Sequence, residues 1–194
     1  VPGVPIEDVI HENQEERNRV MSLLFELLLI EMFELRLVQT DPNFANCRYD
    51  PESGQVVLLD FGASRRFKAA FTGAYLDLLK AVVVNNQDAM AEAANRIGYK
   101  LGTEPTPYRE TILQLATVVL APLTRDEPYD FGASELPKQA VAMAGDIQRY
   151  REFWEAPPVD VAYIHRKIAG LFMLATRLKA QVNVNELLMP WLQD

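Results

Sequence analysis

Gln39-Thr40-Asp41-Pro42-Asn43-Phe44-Ala45-Asn46, followed after a short gap by Val56-Val57-Leu58-Leu59-Asp60-Phe61-Gly62, is the stretch on which the reading of this chain turns. The first segment joins Asp-Pro to two further Asn residues. That composition stops a helix, because the residue before proline is pushed out of the helical region, and it exposes side chains in a loop. Between the segments, Arg48-Tyr49-Asp50 and Gln55-Val56-Val57-Leu58-Leu59 flank Pro51-Glu52-Ser53-Gly54. Two short runs on either side of a Pro/Gly turn predict a β-hairpin with a four-residue loop.

Upstream, Glu12 to Val38 has apolar residues on most faces and contains neither Pro nor Gly. This predicts one long helix packed on several sides, delivering the chain into the Asp41 loop. Downstream of Gly62 the pattern turns helical, with segments expected near 69–85, 87–98, 107–121, 136–154, 160–181 and 184–193, separated by Pro or Gly punctuation. Pro157-Pro158 marks a break between helices, and no internal repeat is visible. The expected fold is therefore mainly α (α+β). It is one lobe spanning 1–194, helical, with one small β-hairpin carrying the Asp41 loop and Asp60-Phe61-Gly62.

A length of 194 residues with 49% hydrophobic content is ample for one packed core. The formal net charge of −8 gives no broad attraction to nucleic acid or anionic lipid, and nucleic acid is not an expected partner. The single cysteine, Cys47, permits no internal disulfide and reads as a small buried residue in a reducing compartment. Met21 to Val38 is the richest apolar stretch, but Glu26, Glu31, Glu34 and Arg36 interrupt it, favouring a buried helix over a membrane span. The N-terminus, Val1-Pro2-Gly3-Val4-Pro5, has neither an initiator Met nor a signal-peptide pattern, so a piece of a longer protein is expected.

Asp41 and Asn46 in a loop, then Asp60 directly after an apolar strand, form an order that suits phosphoryl transfer. That reaction needs Mg²⁺ held against phosphates and an acceptor oriented in line more than it needs covalent chemistry. Mg²⁺ takes oxygen ligands from one or two carboxylates, phosphates and water. Asp60 supplies a carboxylate, and Asn46 supplies a neutral carbonyl oxygen that limits repulsion beside it. Asp41 is the candidate catalytic residue, oriented to accept the attacking hydroxyl's proton. Phe61 and Gly62 complete the nucleotide-binding set, with Gly62 permitting a turn that a side chain hinders. The same Asp-x-x-x-x-Asn spacing followed by Asp-Phe-Gly occurs in kinase catalytic loops.

Three look-alikes are read as structural. Asp130-Phe131-Gly132 follows Asp126-Glu127-Pro128-Tyr129 with no strand before it and no loop partner upstream, so it reads as a turn. His165-Arg166-Lys167 lies within a helical pattern and ends in Lys where a catalytic carboxylate belongs, so it reads as helix surface or a capping interaction. His11 reads as a capping or solvated residue, since two distant histidines make no metal site.

Taken together, the Gln-Thr-Asp-Pro-Asn-Phe-Ala-Asn loop and Val-Val-Leu-Leu-Asp-Phe-Gly-Ala segment resemble the UbiB family of aarF-domain, atypical kinase-like proteins. The similarity extends to Val1–Pro5, to Asp126–Gly132 and to His165-Arg166-Lys167. The resemblance implies a protein-kinase-like C-terminal lobe that binds ATP and Mg²⁺ and supports ubiquinone (coenzyme Q) biosynthesis. It gives Asp41 the catalytic role and makes Asn46 and Asp60 the metal ligands, while Gln39 stands where ordinary protein kinases carry His. It further implies a separate N-terminal lobe bearing the phosphate-pairing Lys, without which these 194 residues are expected to be a poor catalyst.

Implied partners are prenylated quinone precursors or membrane lipid and other coenzyme Q proteins. The implied location is peripheral to the inner membrane on the cytoplasmic side in a bacterium, or the mitochondrial matrix side in a eukaryote. No Ala-Pro-Glu segment follows Gly62, which disfavours protein substrates. Two alternatives are a small-molecule phosphotransferase of the aminoglycoside or choline kinase type, and a non-catalytic scaffold that binds lipid or partner proteins.

Overall fold

The computed structural model describes residues 2–41, 43–147 and 158–193. Its spine is helix α1, Gln14–Leu29, continued by a π-helical turn over Ile30–Leu35. The Asn13 side chain caps the start, accepting from the Glu16 N–H at 2.9 Å. Losing one such cap typically costs about 1 kcal/mol, so Asn13→Ala is expected to lower unfolding stability by that amount in urea titration. Val20, Met21, Leu24, Phe25, Leu28 and Leu29 are all buried, which confirms packing on several sides.

The expected helix to Val38 ends earlier, at Leu35, because Arg36 takes a left-handed conformation with φ of 51°. The next three residues, Leu37–Gln39, form strand β2. Its antiparallel partner is β5, Ser64–Arg66, with Gln39 opposite Ser64. The predicted hairpin is present as β3, Cys47–Asp50, and β4, Gln55–Leu58. A short strand β1, Val4–Pro5, adds to its outer edge by pairing with β3. Gly3 makes that approach possible, since a Cβ on it would lie 2.4 Å from the Tyr49 carbonyl oxygen. The strands beyond the single hairpin are two or three residues each, too short to impose a visible alternation on the sequence.

The rest is mainly helical: α2 Ala69–Val83, α3 Gln87–Ile97, α4 Pro107–Val119, α5 Leu136–Ile147, α6 Val159–Arg177 and α7 Val184–Leu192. Helices α2, α3, α4 and α7 begin and end within two residues of the expected bounds, whereas α6 stops at Arg177, short of the expected 181, because Gln181–Val182 is extended. The expected continuation of α5 to residue 154, and Pro157 of the Pro-Pro break, lie outside the described residues. Asn86 and Thr106 cap α3 and α4 through their side chains, and Pro107 occupies the first turn of α4, where its missing N–H is harmless. Helices α2 and α3 pack together, as do α4 and α5, while α1 touches α6 and α7.

Asp130-Phe131-Gly132 is structural, as expected, although a two-residue strand does precede it. Strand β6, Tyr129–Asp130, pairs with β7, Gln181–Val182, and the Asp130 carboxylate then accepts from the Ala133 N–H at 3.0 Å. Phe131 is only 2% exposed and packs on the rings of Phe25, Tyr129 and Phe172. Among the described residues, no helix is long and apolar enough to cross a membrane.

Candidate functional site

Strand β2 delivers two buried polar residues, Gln39 and Thr40, to the base of the Asp41 loop. Burying a polar group is costly unless it is hydrogen-bonded, and both side chains are. The Gln39 amide donates through Nε2 to the Asp60 carbonyl at 2.9 Å, and its Oε1 accepts from the Asp41 N–H. One side chain thus joins both loops. Thr40 donates twice to the Ala63 carbonyl, from its N–H at 3.3 Å and its hydroxyl at 2.8 Å. The Leu59 N–H reaches the Asn46 carbonyl at 2.9 Å. Asp41, Asn46 and Asp60 therefore rise from loops stitched to each other.

Asn46 Nδ2 donates to Asp41 Oδ2 at 3.0 Å, so the spacing of five brings these two side chains into contact. Asp41 Oδ1 accepts from the Asn43 N–H at 3.3 Å and faces Arg166 of α6, also at 3.3 Å. Among the described residues the Asp60 carboxylate touches neither Asp41 nor Asn46. Its Oδ1 instead accepts from the Gly62 N–H at 2.7 Å, and the residue is exposed. Glycine at 62 has a reason other than the turn the sequence suggested. No left-handed φ occurs there, but a Cβ would lie 3.1 Å from Asp60 Oδ1 and crowd the carboxylate. Phe61 is 58% exposed and Leu59 is 42% exposed, an apolar rim beside Asp60.

Beneath the loop lies a charged pair that the sequence reading did not find. Glu31, in the π-helical turn, is 5% exposed. Its Oε1 accepts from the Gln39 N–H at 3.2 Å. Lys167 Nζ stands 3.3 Å from Oε2, at ion-pair distance but without hydrogen-bond geometry. Burial pushes the Glu31 carboxyl above the ordinary carboxylate range, with Lys167 pulling the other way. Burial likewise raises the half-buried Cys47 thiol, which fits its reading as a packing residue and not a nucleophile.

His165-Arg166-Lys167 is accordingly more than helix surface. Only Arg166 sits at the rim; Lys167 turns inward, and His165 Nε2 lies 2.8 Å from the Tyr99 hydroxyl. A signal for Lys167 existed, since Val161, Ile164, Ile168 and Leu171 define the apolar face of that helix and Lys167 falls among them. His11 is exposed at the end of the short 3-10 helix Ile6–His11, whose Ile6 and Val9 are buried, just ahead of the Asn13 cap.

The donor set is compatible with Mg²⁺. Among the described residues, no three His, Cys, Asp or Glu side chains cluster as a closed metal cage. A Mg²⁺ site completed by phosphates and water needs none. Because Asn46 Nδ2 is committed to Asp41, its amide oxygen is left as an acceptor, and Asp60 keeps Oδ2 clear of protein donors among the described residues.

Comparison with known proteins gives an independent reading. Residues 1–94 match the model of the ABC1 atypical kinase-like domain. The chain is 33% identical to atypical kinase COQ8B, mitochondrial, of Rattus norvegicus over 185 residues, covering 95% of this chain and 35% of that protein. It is 29% identical to atypical kinase coq-8, mitochondrial, of Caenorhabditis elegans, covering 94% of this chain and 24% of that one. The yeast protein, atypical kinase COQ8, mitochondrial, of Saccharomyces cerevisiae is also 29% identical, with 95% and 37% covered. The chain thus spans roughly a quarter to a little over a third of the length of these curated relatives. Among solved structures, the Rv3197–erythromycin complex from Mycobacterium tuberculosis aligns with a TM-score of 0.72 at 19% identity, over 96% of this chain and 46% of that one. At that identity the likeness speaks for the fold.

Proposed function

Because this chain belongs to the UbiB/ABC1 family of atypical kinase-like proteins, we propose that it is the metal-binding lobe of an ATP- and Mg²⁺-dependent atypical kinase or ATPase supporting coenzyme Q synthesis. The observation that carries this reading is the Gln39 side chain, which bridges the Asp41 N–H and the Asp60 carbonyl and so ties the two loops of a phosphotransfer site together. Asn46 and Asp60 would hold the metal through their free side-chain oxygens. Bound there, Mg²⁺ would neutralise charge on the β- and γ-phosphates.

Asp41 is the proton-accepting or acceptor-orienting residue in this account. Its Oδ2 is held by Asn46 and its Oδ1 by Arg166 and the Asn43 N–H, an arrangement that aims the carboxylate. Positioning of this kind accounts for most of the catalysis in phosphoryl transfer. The phosphate-pairing Lys comes from a separate N-terminal lobe in this proposal, and the phosphoryl acceptor is water or a prenylated quinone precursor. The mitochondrial setting named for the relatives carries over if the source is eukaryotic.

The test is Asp41→Asn in the full-length protein, read by Mg²⁺-dependent ATP turnover and by nucleotide binding. A positioned general base contributes about a hundredfold or more, so turnover is expected to fall by at least that factor. Nucleotide affinity is expected to change little. Equal losses in both would assign Asp41 to ground-state binding instead.

A further inference from the structure

We infer that Glu31, tethered by Lys167, is a positioning residue for the phosphotransfer loops, acting through the backbone of Gln39. The inference rests on the roles proposed above for Asp41 and Asp60. Glu31 touches neither. It accepts the N–H of the residue whose side chain spans them, and that N–H, at 3.2 Å, is the last main-chain donor of β2 before the loop begins. A shift of Gln39 would move the Asp41 N–H and the Asp60 carbonyl together, since both are bound to its amide.

The tether explains why a charge is found there. A buried carboxylate and ammonium can often be replaced by well-packed apolar groups with no loss of stability, so stability alone gives little reason for the pair. What an apolar pair lacks is an acceptor for Gln39 and a second anchor that fixes where the acceptor sits. Lys167 provides that anchor from α6, which meets the same loops at other points as well. Arg166 reaches Asp41 Oδ1. Arg65 of β5 pairs with Asp160 at 2.8 Å and lies 4.7 Å over the Tyr163 ring. Helix α6 therefore braces β2, the Asp41 loop and β5 from one side, and the Glu31–Lys167 pair is the buried member of that brace.

Two double variants of the full-length protein test this. Glu31→Leu with Lys167→Met removes both the acceptor and the tether. Glu31→Gln with Lys167→Met keeps an acceptor of the same shape but leaves it untethered. Displacing reacting groups by about 1 Å can cost roughly a hundredfold in rate, so kcat should fall by about that factor in the first and about tenfold in the second. The KM for MgATP is expected to change by a smaller factor than kcat in both. Amide hydrogen exchange at Gln39, Thr40 and Asp41 should quicken in the same order while global melting changes little.

A folded Leu/Met variant with wild-type kcat and unchanged exchange would overturn the inference. Should that variant not fold, the Gln/Met variant decides alone, and wild-type exchange and kcat in it would be equally fatal. Asp60→Asn run in parallel separates the two levels. If it leaves turnover intact, the site assignment fails, while the exchange rates still report on whether Glu31 holds the loop.

Discussion

Asp60→Asn in the full-length protein is expected to slow Mg²⁺-dependent ATP turnover by about a thousandfold, or roughly 4 kcal/mol in barrier. The substitution isolates charge from shape. Asn retains an oxygen that can accept from the Gly62 N–H, the contact that Asp60 Oδ1 makes at 2.7 Å, so the loop keeps its turn. Asp60 is exposed and no other side chain depends on its carboxylate among the described residues, so melting should not move measurably. What is lost is the anionic oxygen that the proposed site offers to a hard cation. Raising the Mg²⁺ concentration is expected to recover part of the rate. Steady-state kinetics across a magnesium titration checks this, and wild-type turnover in the variant would remove Asp60 from the metal site.

The second large effect concerns the other Asp-Phe-Gly. Phe131→Ala is expected to destabilise the protein by about 3–5 kcal/mol, the range for emptying a buried aromatic position. Phe131 is 2% exposed, with ring centroids of Tyr129, Phe25 and Phe172 at 5.0, 5.4 and 5.5 Å, so it joins β6 to α1 and α6. For a chain of this size, a loss of that order lowers the melting temperature by on the order of 10 °C. Phe61→Ala, at a residue 58% exposed, should stay within about 0.5 kcal/mol. Thermal or urea unfolding of the two variants side by side checks both. Equal costs would mean that the tripeptides do not differ as the fold implies.

The two copies of one tripeptide show how much could be read in advance. Context separated them, since Asp60 follows Val56-Val57-Leu58-Leu59 and pairs with an upstream loop, whereas Asp130 follows Pro128 in a turn. Helix boundaries were read from Pro and Gly punctuation, and the structure shows the local capping chemistry that fixes several of them. Asn13, Asn86 and Thr106 each accept from a backbone N–H three residues on, and Pro107 opens its helix. That Asp41 and Asn46 share one loop was legible from their spacing, but the hydrogen bond between them was not.

What escaped were long-range events. The pairing of Leu37–Gln39 with Ser64–Arg66 depends on Arg36 adopting a left-handed backbone, which no residue type announces. Gln39 was noted only as a replacement for His, yet its amide donates to the Asp60 carbonyl and accepts from the Asp41 N–H, and so joins the two loops. Glu31 was visible as a charge in an apolar stretch, but Lys167 was read as helix surface, and 136 positions separate the two, so only the fold brings them together.

The most direct measurement of the central claim is a crystal structure of the full-length protein with Mg²⁺ and a non-hydrolysable ATP analogue. The account predicts a cation with Asp60 Oδ2 and Asn46 Oδ1 as ligands at about 2.0–2.1 Å, bridged to phosphate oxygens, with Asp41 facing the γ-phosphate. A nucleotide bound elsewhere, or a cation in the cleft that neither Asp60 nor Asn46 touches, would contradict it.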